Sequence, residues 1–471
     1  MGLEMNLKIK DIIECTKGIL IIGNLDEECK NFSKDTRIIQ EGDTYIGIKG
    51  QNFDGSAFWE KALENGADTV IINNIKIENE KLEKYKNLNK NIIQVENTKE
   101  ALKQIATAKR NLYKDLIVVG VTGSVGKTST KDIIANVVSQ KYNTLKTEGN
   151  NNNDIGLPFT ILKLRDHQVA VIEMGMNHFG EISELTKIAK PTISVITNIG
   201  TSHIGNLGSR ENILKAKLEI LEGMEKPKIV INNDNDLLHD WYEQNKENVE
   251  IHTFGINNNS DCMASDIKEE ENSSKFTCDL KGNKFQENVP VGGEVFVLNS
   301  LCATMVGNLI GLSNEEIQRG ISSFELTKKR MEIIKLKNGA TIINDSYNAS
   351  FESMKASIEY LANTRAERKI AVLGDMFELG DFSEKLHREV GKEVAKHKID
   401  KLFVIGENSK YISEEASQVG MNEKNIYYVS TQEELIKKLE SEIMDGDEIL
   451  FKASNGMHLF DIVEVLKEVF V

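Results

Sequence analysis

The chain has 471 residues, more than one hydrophobic core holds, and at about 150 residues per domain it is expected to form three domains. Hydrophobic residues at 40% and charged residues at 28% argue against disorder, and a net charge of −15 argues against a protein built to hold nucleic acid or anionic lipid, though not against a local polyphosphate pocket. Cys15, Cys29, Cys262, Cys278 and Cys302 form no CxxC pair, which speaks against a zinc cluster or disulfide scaffold and fits a reducing compartment.

Residues 1–13 carry acidic side chains early and lack the apolar core and cleavage site of a secretion signal. No apolar run approaches the ~20 residues of a membrane span, so a cytoplasmic protein without membrane insertion is expected. Residues 1–112 mix strand-like runs (44–48, 69–72, 92–95) with helical stretches (56–65, 98–112). The texture then changes: 116–121 is continuously apolar, as in a strand buried on both faces of a parallel sheet. Similar runs follow at 169–172, 193–196 and 229–231 with helices between, the alternation of βαβ units. Residues 250–297 are polar and hairpin-like, a small antiparallel addition. After Arg330 the alternation resumes, with strands at 341–343, 370–373, 402–405 and 449–451 and helices at 354–361, 384–397 and 433–443. With only four prolines, boundaries follow pattern rather than linkers: a mixed α/β domain over 1–112, a mostly parallel α/β domain over 113–326, and a second α/β domain over 327–471.

The strongest local signal is Gly120-Val-Thr-Gly-Ser-Val-Gly-Lys-Thr128. A buried strand ends, a glycine turn follows, and Lys127 opens a helix with apolar Ile133, Ile134, Val137 and Val138. Across Thr122, Gly123, Ser124, Val125 and Gly126 the glycines let backbone N–H groups turn inward around an anion, and the helix N-terminus adds its dipole. Lys127 can reach the β/γ-phosphates and the Thr128 hydroxyl can ligate Mg²⁺. The spacing departs from the strict phosphate-loop pattern, since Val121 stands five before Gly126 and the glycine lies one earlier; a plain tight turn is the alternative.

Glu173 ends the next buried strand, where ligands gather in open α/β sheets, and a carboxylate there can hold Mg²⁺ or simply face solvent. His203 closes Thr-Asn-Ile-Gly-Thr-Ser-His; taken alone, such a histidine is more often structural than a ligand. Lys217, in Lys215-Ala-Lys-Leu-Glu219, reads by itself as part of a solvated helix face.

Together these segments resemble the ATP-dependent Mur ligases. The likeness spans nearly the whole chain: Asp35-Thr36-Arg37 with Gly42-Asp43, Lys49-Gly50 and Asp54-Gly55, the phosphate loop, and Gly149-Asn150-Asn-Asn-Asn153-Asp-Ile-Gly-Leu-Pro158. Glu173-Met-Gly175, Asn198 to His203, Ala216-Lys-Leu-Glu219 and Lys329-Arg-Met-Glu332 follow. The most specific are Asn344-Asp-Ser-Tyr-Asn-Ala349 with Ser353-Met-Lys355, then Val372-Leu-Gly-Asp-Met-Phe-Glu-Leu-Gly380 with Leu386-His-Arg-Glu389. These last point to the branch that joins D-Ala-D-Ala to a UDP-muramoyl-tripeptide in peptidoglycan precursor synthesis.

The resemblance implies an amino-terminal domain gripping the UDP-muramoyl-peptide, a central ATPase domain and a mobile Rossmann-like carboxy-terminal domain. It implies that Lys127, Glu173, His203 and Lys217 are catalytic. Lys217 would be carbamylated by CO₂ and, with Thr128, Glu173 and His203, serve Mg²⁺. Asn299 would contact adenine, and Arg330 and Asp345 would meet ATP on closure. Asp35, Thr36, Arg37, Lys49, Asp54, Asn150 and Asn153 would bind the acceptor, with Tyr347 and Asn348 near the entering amine. The substrate carboxylate would take the γ-phosphoryl of ATP to give an acyl-phosphate, which the amine then attacks. A monomer suffices for this chemistry.

Four motifs depart from the family pattern. His-Asn-x-x-Asn appears as Leu298-Asn299-Ser-Leu-Cys302, Asn-Ala-Asn-Pro as Asn348-Ala-Ser350-Phe351, Asp-Gly-His as Asp54-Gly-Ser56, and Lys-Gly-Ser-Arg as Lys452-Ala-Ser-Asn455. They leave open a relative with the same chemistry and a different amine or acceptor. A nucleotide-binding module without ligase activity would require the intact set of Lys127, Thr128, Glu173, His203 and Lys217 to be idle. A folate-type polyglutamate ligase shares the phosphate-loop class but not the segments at 344–355 and 372–389.

Overall fold

The computed structural model describes residues 5–50, 53–270, 273–326 and 328–470. Residues 1–4 of the amino-terminal segment, and residue 327 at the expected start of the last domain, lie outside them. Three sheets fall within the three expected segments. The first holds β1 (Leu7–Lys8), β2 (Ile19–Ile22), β3 (Glu28–Ser33), β4 (Asp43–Ile46), β5 (Thr69–Asn73) and β6 (Asn91–Val95), in the order β1-β3-β4-β5-β6-β2. Its middle pairings are parallel and its two outer ones antiparallel, the mixed character expected of the segment.

The second sheet has nine strands: β7 (Ile117–Thr122), β8 (Thr144–Lys146), β9 (Val169–Glu173), β10 (Ile193–Ile196), β11 (Lys228–Asn232), β12 (Glu250–Gly255), β13 (Cys262–Glu270), β14 (Ser273–Leu280) and β15 (Asn283–Val289). The third holds β16 (Glu332–Lys335), β17 (Thr341–Asn344), β18 (Arg368–Gly374), β19 (Lys401–Ile405), β20 (Ile426–Val429) and β21 (Asp447–Lys452), ordered β16-β17-β21-β18-β19-β20. All its pairings are parallel except β16 with β17, as a Rossmann-like domain requires.

Packing groups the chain into two compact units. One comprises Met1–Thr122, Lys141–Val195 and Leu218–Ile229; the other comprises Gly123–Gln140, Ile196–Lys217 and Val230–Val471. In the first unit, β7 pairs in parallel with β9 and β9 with β8. All five residues of β9 are buried, which explains the uninterrupted apolar reading. In the second unit, β12 pairs in parallel with β13, while β13, β14 and β15 form the antiparallel ribbon foreseen for 250–297. The helix Lys127–Val138 belongs to this unit because it packs on Glu294–Leu309 and Asn314–Ser322: a Cβ at Gly320 would collide with Val137.

The last strand of the ribbon, β15, carries a buried acid the sequence did not single out. Glu287 accepts a hydrogen bond from the Thr304 hydroxyl at 2.7 Å, while its other oxygen has no partner among the described residues. Burial pushes its carboxyl up to about 8, against the smaller opposing effect of Thr304. A folded-state pKa raised above the unfolded one gives stability that is full below the unfolded value of 4.5 and is lost as pH rises through about 8. Denaturant titrations from pH 5 to 9 should show a decline of at most about 1.4 kcal/mol per pH unit, flattened in Glu287→Gln.

Candidate active site

The phosphate loop lies in the second unit and is shaped from outside by the segment after β10. Asn198 clamps it: its Oδ1 accepts from Val125 N at 2.9 Å, its Nδ2 donates to Val125 O at 3.1 Å, and its carbonyl accepts from Ser124 N at 3.1 Å. The Thr197 hydroxyl donates to Val125 O at 2.7 Å, and the Ser202 hydroxyl to Ser124 O at 3.2 Å. Gly123 sits at φ +152°, where a Cβ would overlap the Thr197 hydroxyl, so this turn requires glycine. Gly126, at φ +80°, begins the helix. The Lys127 ammonium donates to Gly123 O at 2.8 Å and Ser124 O at 3.3 Å, inside the loop it is expected to serve.

Asn198 and Thr197 are contacts that motif reading does not assign to the nucleotide. An asparagine directly after a buried strand, in Thr-Asn-Ile-Gly, is the available signal. Asn198→Ala should weaken ATP binding about tenfold, read by calorimetry, since both side-chain hydrogen bonds to Val125 are lost together.

Asn299 and Arg330 converge on the same loop. Asn299 Oδ1 accepts from the Thr130 hydroxyl at 2.9 Å and lies against Gly126, whereas its buried Nδ2 has no partner among the described residues. Arg330 donates from Nη2 to the Thr128 hydroxyl at 2.9 Å and stacks over the Tyr347 ring at 4.0 Å, and its buried Nε is likewise without a partner among them. Two orphaned donors at a phosphate loop match an anionic, acceptor-rich ligand.

Lys217 corrects the reading of it as a solvated lysine. It is only 1% exposed, and burial, followed by the charge of Lys127, holds its amine well below the ordinary lysine range. Helical periodicity reports a face, not what packs over it. His203, at φ +64°, presents Nδ1 to the Glu378 carboxylate. The Asp345 carboxylate pairs with the buried Lys452, accepts from the Ser357 hydroxyl at 2.7 Å, and accepts from Met331 N at 3.3 Å. Lys452 also donates to Asn348 O at 3.2 Å, and Tyr347 N donates to Lys329 O at 3.1 Å, so the Asp345–Asn348 turn is tied at both ends.

In the first unit, Glu173 is 2% exposed and its Oε1 accepts from Asn152 Nδ2 at 2.8 Å. Of the asparagine run, Asn152 therefore supports Glu173, Asn153 caps the following turn through Gly156 N at 2.8 Å, and Asn150 is exposed. Asp35 is gripped by Arg37 at 2.6 Å, which holds its carboxyl down to about 2, and the Thr36 carbonyl accepts from Asn65 at 2.7 Å. Lys49 forms an isolated bridge with Asp54, whose carboxylate accepts from Ser56 N at 2.9 Å and from Asn73 Nδ2. Among the described residues no group of three His, Cys, Asp or Glu side chains is arranged to hold a metal.

Two of the departures are absorbed by the fold. Ser350 is the N-cap of Phe351–Asn363, and the buried Ser56 hydroxyl donates to Gly47 O at 3.2 Å while accepting from Asn73 N at 2.9 Å.

A parallel α/β sheet, a glycine loop opening a helix, and orphaned donors aimed at that loop define a phosphate-loop nucleotide-binding protein. Three family models match: Mur ligase family, catalytic domain over residues 30–110; Mur ligase middle domain over 121–307; and Mur ligase, glutamate ligase domain over 329–455. The chain is 37% identical over 464 residues to the UDP-N-acetylmuramoyl-tripeptide–D-alanyl-D-alanine ligase of Bacillus subtilis, with 98% of each chain covered. A crystal structure of MurF from Acinetobacter baumannii superposes with a TM-score of 0.87 at 29% identity, covering 99% of both chains. MurF from Thermotoga maritima in complex with ADP does so with a TM-score of 0.81 at 28% identity, covering 93% of this chain and 97% of that one. The chain belongs to the Mur ligase family, whose members are ATP-dependent ligases that form carbon–nitrogen bonds.

Proposed function

We propose that the chain joins D-alanyl-D-alanine to UDP-N-acetylmuramoyl-tripeptide, converting ATP to ADP and phosphate in the cytoplasmic assembly of peptidoglycan precursors. The observation that carries this reading is the 37% identity, sustained over 98% of both chains, to a ligase of that name. No helix among the described residues is long and apolar enough to cross a membrane. The domain limits remain 1–112, 113–326 and 327–471.

A carboxylate is a poor electrophile. It attacks the γ-phosphorus of ATP, the bond to the β-bridging oxygen breaks, and an acyl-phosphate and ADP result. Lys127 and the N-terminus of the helix Lys127–Val138 offset charge on the transferring phosphoryl group, whereas the N–H groups of Ser124 and Val125, expected to turn inward, are held by Asn198. Arg330 and Asn299 supply their unfilled donors to the nucleotide, Asn299 on the adenine side. The neutral amine then attacks the acyl carbon beside Tyr347 and Asn348, loses a proton, and phosphate leaves. Asp345 holds that turn in place through Lys452. The Asp35-Thr36-Arg37 turn, Lys49, Asp54, Asn150 and Asn153 take the UDP-muramoyl-peptide. Closure over the reacting atoms keeps water from the acyl-phosphate.

Mg²⁺, when bound, neutralises charge on the β- and γ-phosphates. Thr128, His203 and a carbamylated Lys217 would serve it, with Glu173 in the same role by family resemblance. Lys217 suits carbamylation because burial and the Lys127 charge both disfavour its ammonium form: the nitrogen would add to CO₂, shed a proton, and become an oxygen-bearing anion beside the charge of Lys127.

The test is phosphate release with the muramoyl-tripeptide, ATP and D-Ala-D-Ala. Release dependent on both co-substrates supports the reading. Turnover with another amine but none with D-Ala-D-Ala would replace it.

A further inference from the structure

The residues after β10 face two ways. On one side Gly200 N donates to the Ser124 hydroxyl at 2.9 Å and the Ser202 hydroxyl reaches Ser124 O, holding the phosphate loop. On the other side they meet two carboxylates from the segment matched by the glutamate ligase domain model. The Thr201 hydroxyl donates to Glu352 Oε2 at 3.0 Å, and Gly200 is so close to that carboxylate that a Cβ would lie 2.6 Å from its carbon. Glu378 engages His203 Nδ1, and its own carbonyl accepts from Gly205 N at 3.1 Å.

Glycine makes the second contact possible: a Cβ at Gly205 would stand 2.6 Å from Gly380 N and 2.7 Å from Glu378 O. Both His203 and Glu378 adopt left-handed backbone conformations, at φ +64° and +63°, where non-glycine residues persist only if their surroundings impose it. The loop bearing Glu378 is itself braced. Met376 N donates to His387 Nε2 at 3.0 Å, Phe377 N donates to the Ser454 hydroxyl at 2.8 Å, and His387 Nδ1 binds Ser383 O at 2.7 Å.

We propose that Glu378 is a positioning residue for phosphoryl transfer: seated on His203 and on the Gly205 backbone, it locks residues 199–205 in the shape that holds Ser124 of the phosphate loop. An ionised carboxylate has no proton to give, so His203 Nδ1 is the donor of the pair. Seating of the carboxy-terminal segment is thereby transmitted to the nucleotide site through one continuous set of contacts. The proposal rests on the ligase reading for its catalytic consequence, but not for its structural one.

Two measurements test it. In the ligation assay, Glu378→Ala and Gly205→Ala should each lower kcat about tenfold or more, with KM for ATP within about threefold of the parent. The double variant should be no worse than the poorer single, because both break one contact. Glu378→Gln, whose amide oxygen can still accept from Nδ1–H, should recover most of kcat. Unchanged kcat in Glu378→Ala, losses that multiply, or a Gln variant as poor as Ala would overturn the proposal. Hydrogen exchange on the substrate-free chain is independent of activity: the amides of 199–205 should exchange at least about tenfold faster in both alanine variants. Unaltered exchange would overturn the clasp. Faster exchange in a chain with no D-Ala-D-Ala ligation would instead sink the ligase reading and keep the clasp.

Discussion

Lys217→Ala should lower ligation by about three orders of magnitude, the scale seen when a group that stabilises developing charge is removed. The side chain is buried on the helix Arg210–Leu218, and burial, followed by the charge of Lys127, holds its amine well below the lysine range. A cation that only covered a helix face would not be placed there, since burying an unpaired ammonium is costly. On the proposed reading, carbamylation would place an anion, rather than an amine, beside the charge of Lys127. Two results should accompany the loss: formate or acetate should restore part of the activity in the alanine variant, and Lys217→Arg should not restore it. Carbon-13-labelled CO₂ should give a carbamate resonance in the parent and none in Lys217→Ala. Full activity in the alanine variant would end the carbamate assignment while leaving the ligase reading untouched.

Gly123→Ala should weaken ATP binding about a hundredfold, read by calorimetry, at a cost on the order of 1–3 kcal/mol from backbone strain plus the collision with Thr197. The new methyl would occupy the space of the Thr197 hydroxyl, which donates to Val125 O and so holds the outside of the loop. Relief requires moving either the loop itself or the Thr197 side chain that braces it. Gly446 provides the contrast. It too has a positive φ, +79°, but nothing lies within 4 Å of the place a Cβ would take, so Gly446→Ala should lower stability by about 1 kcal/mol and leave ATP binding unchanged. Equal effects of the two substitutions would mean that backbone conformation alone, and not the Thr197 contact, governs the loop.

The amino-acid sequence by itself determined the periodic features: the buried parallel strands, the strand–turn–helix of the phosphate loop, the three α/β segments and the motifs that carry the family resemblance. Those follow from local spacing, because a doubly buried strand must be apolar throughout and a tight anion-binding turn needs glycine. Only the tertiary structure decided that Lys217 is buried, that Asn198 and Thr197 shape the loop, and that Glu378 meets His203 from 175 positions away. It also placed the Asp345 carboxylate against Lys452, and showed Ser56 and Ser350 satisfied within the fold. Burial and partnership are properties of what packs over a residue, and for these residues that packing comes from segments far along the chain.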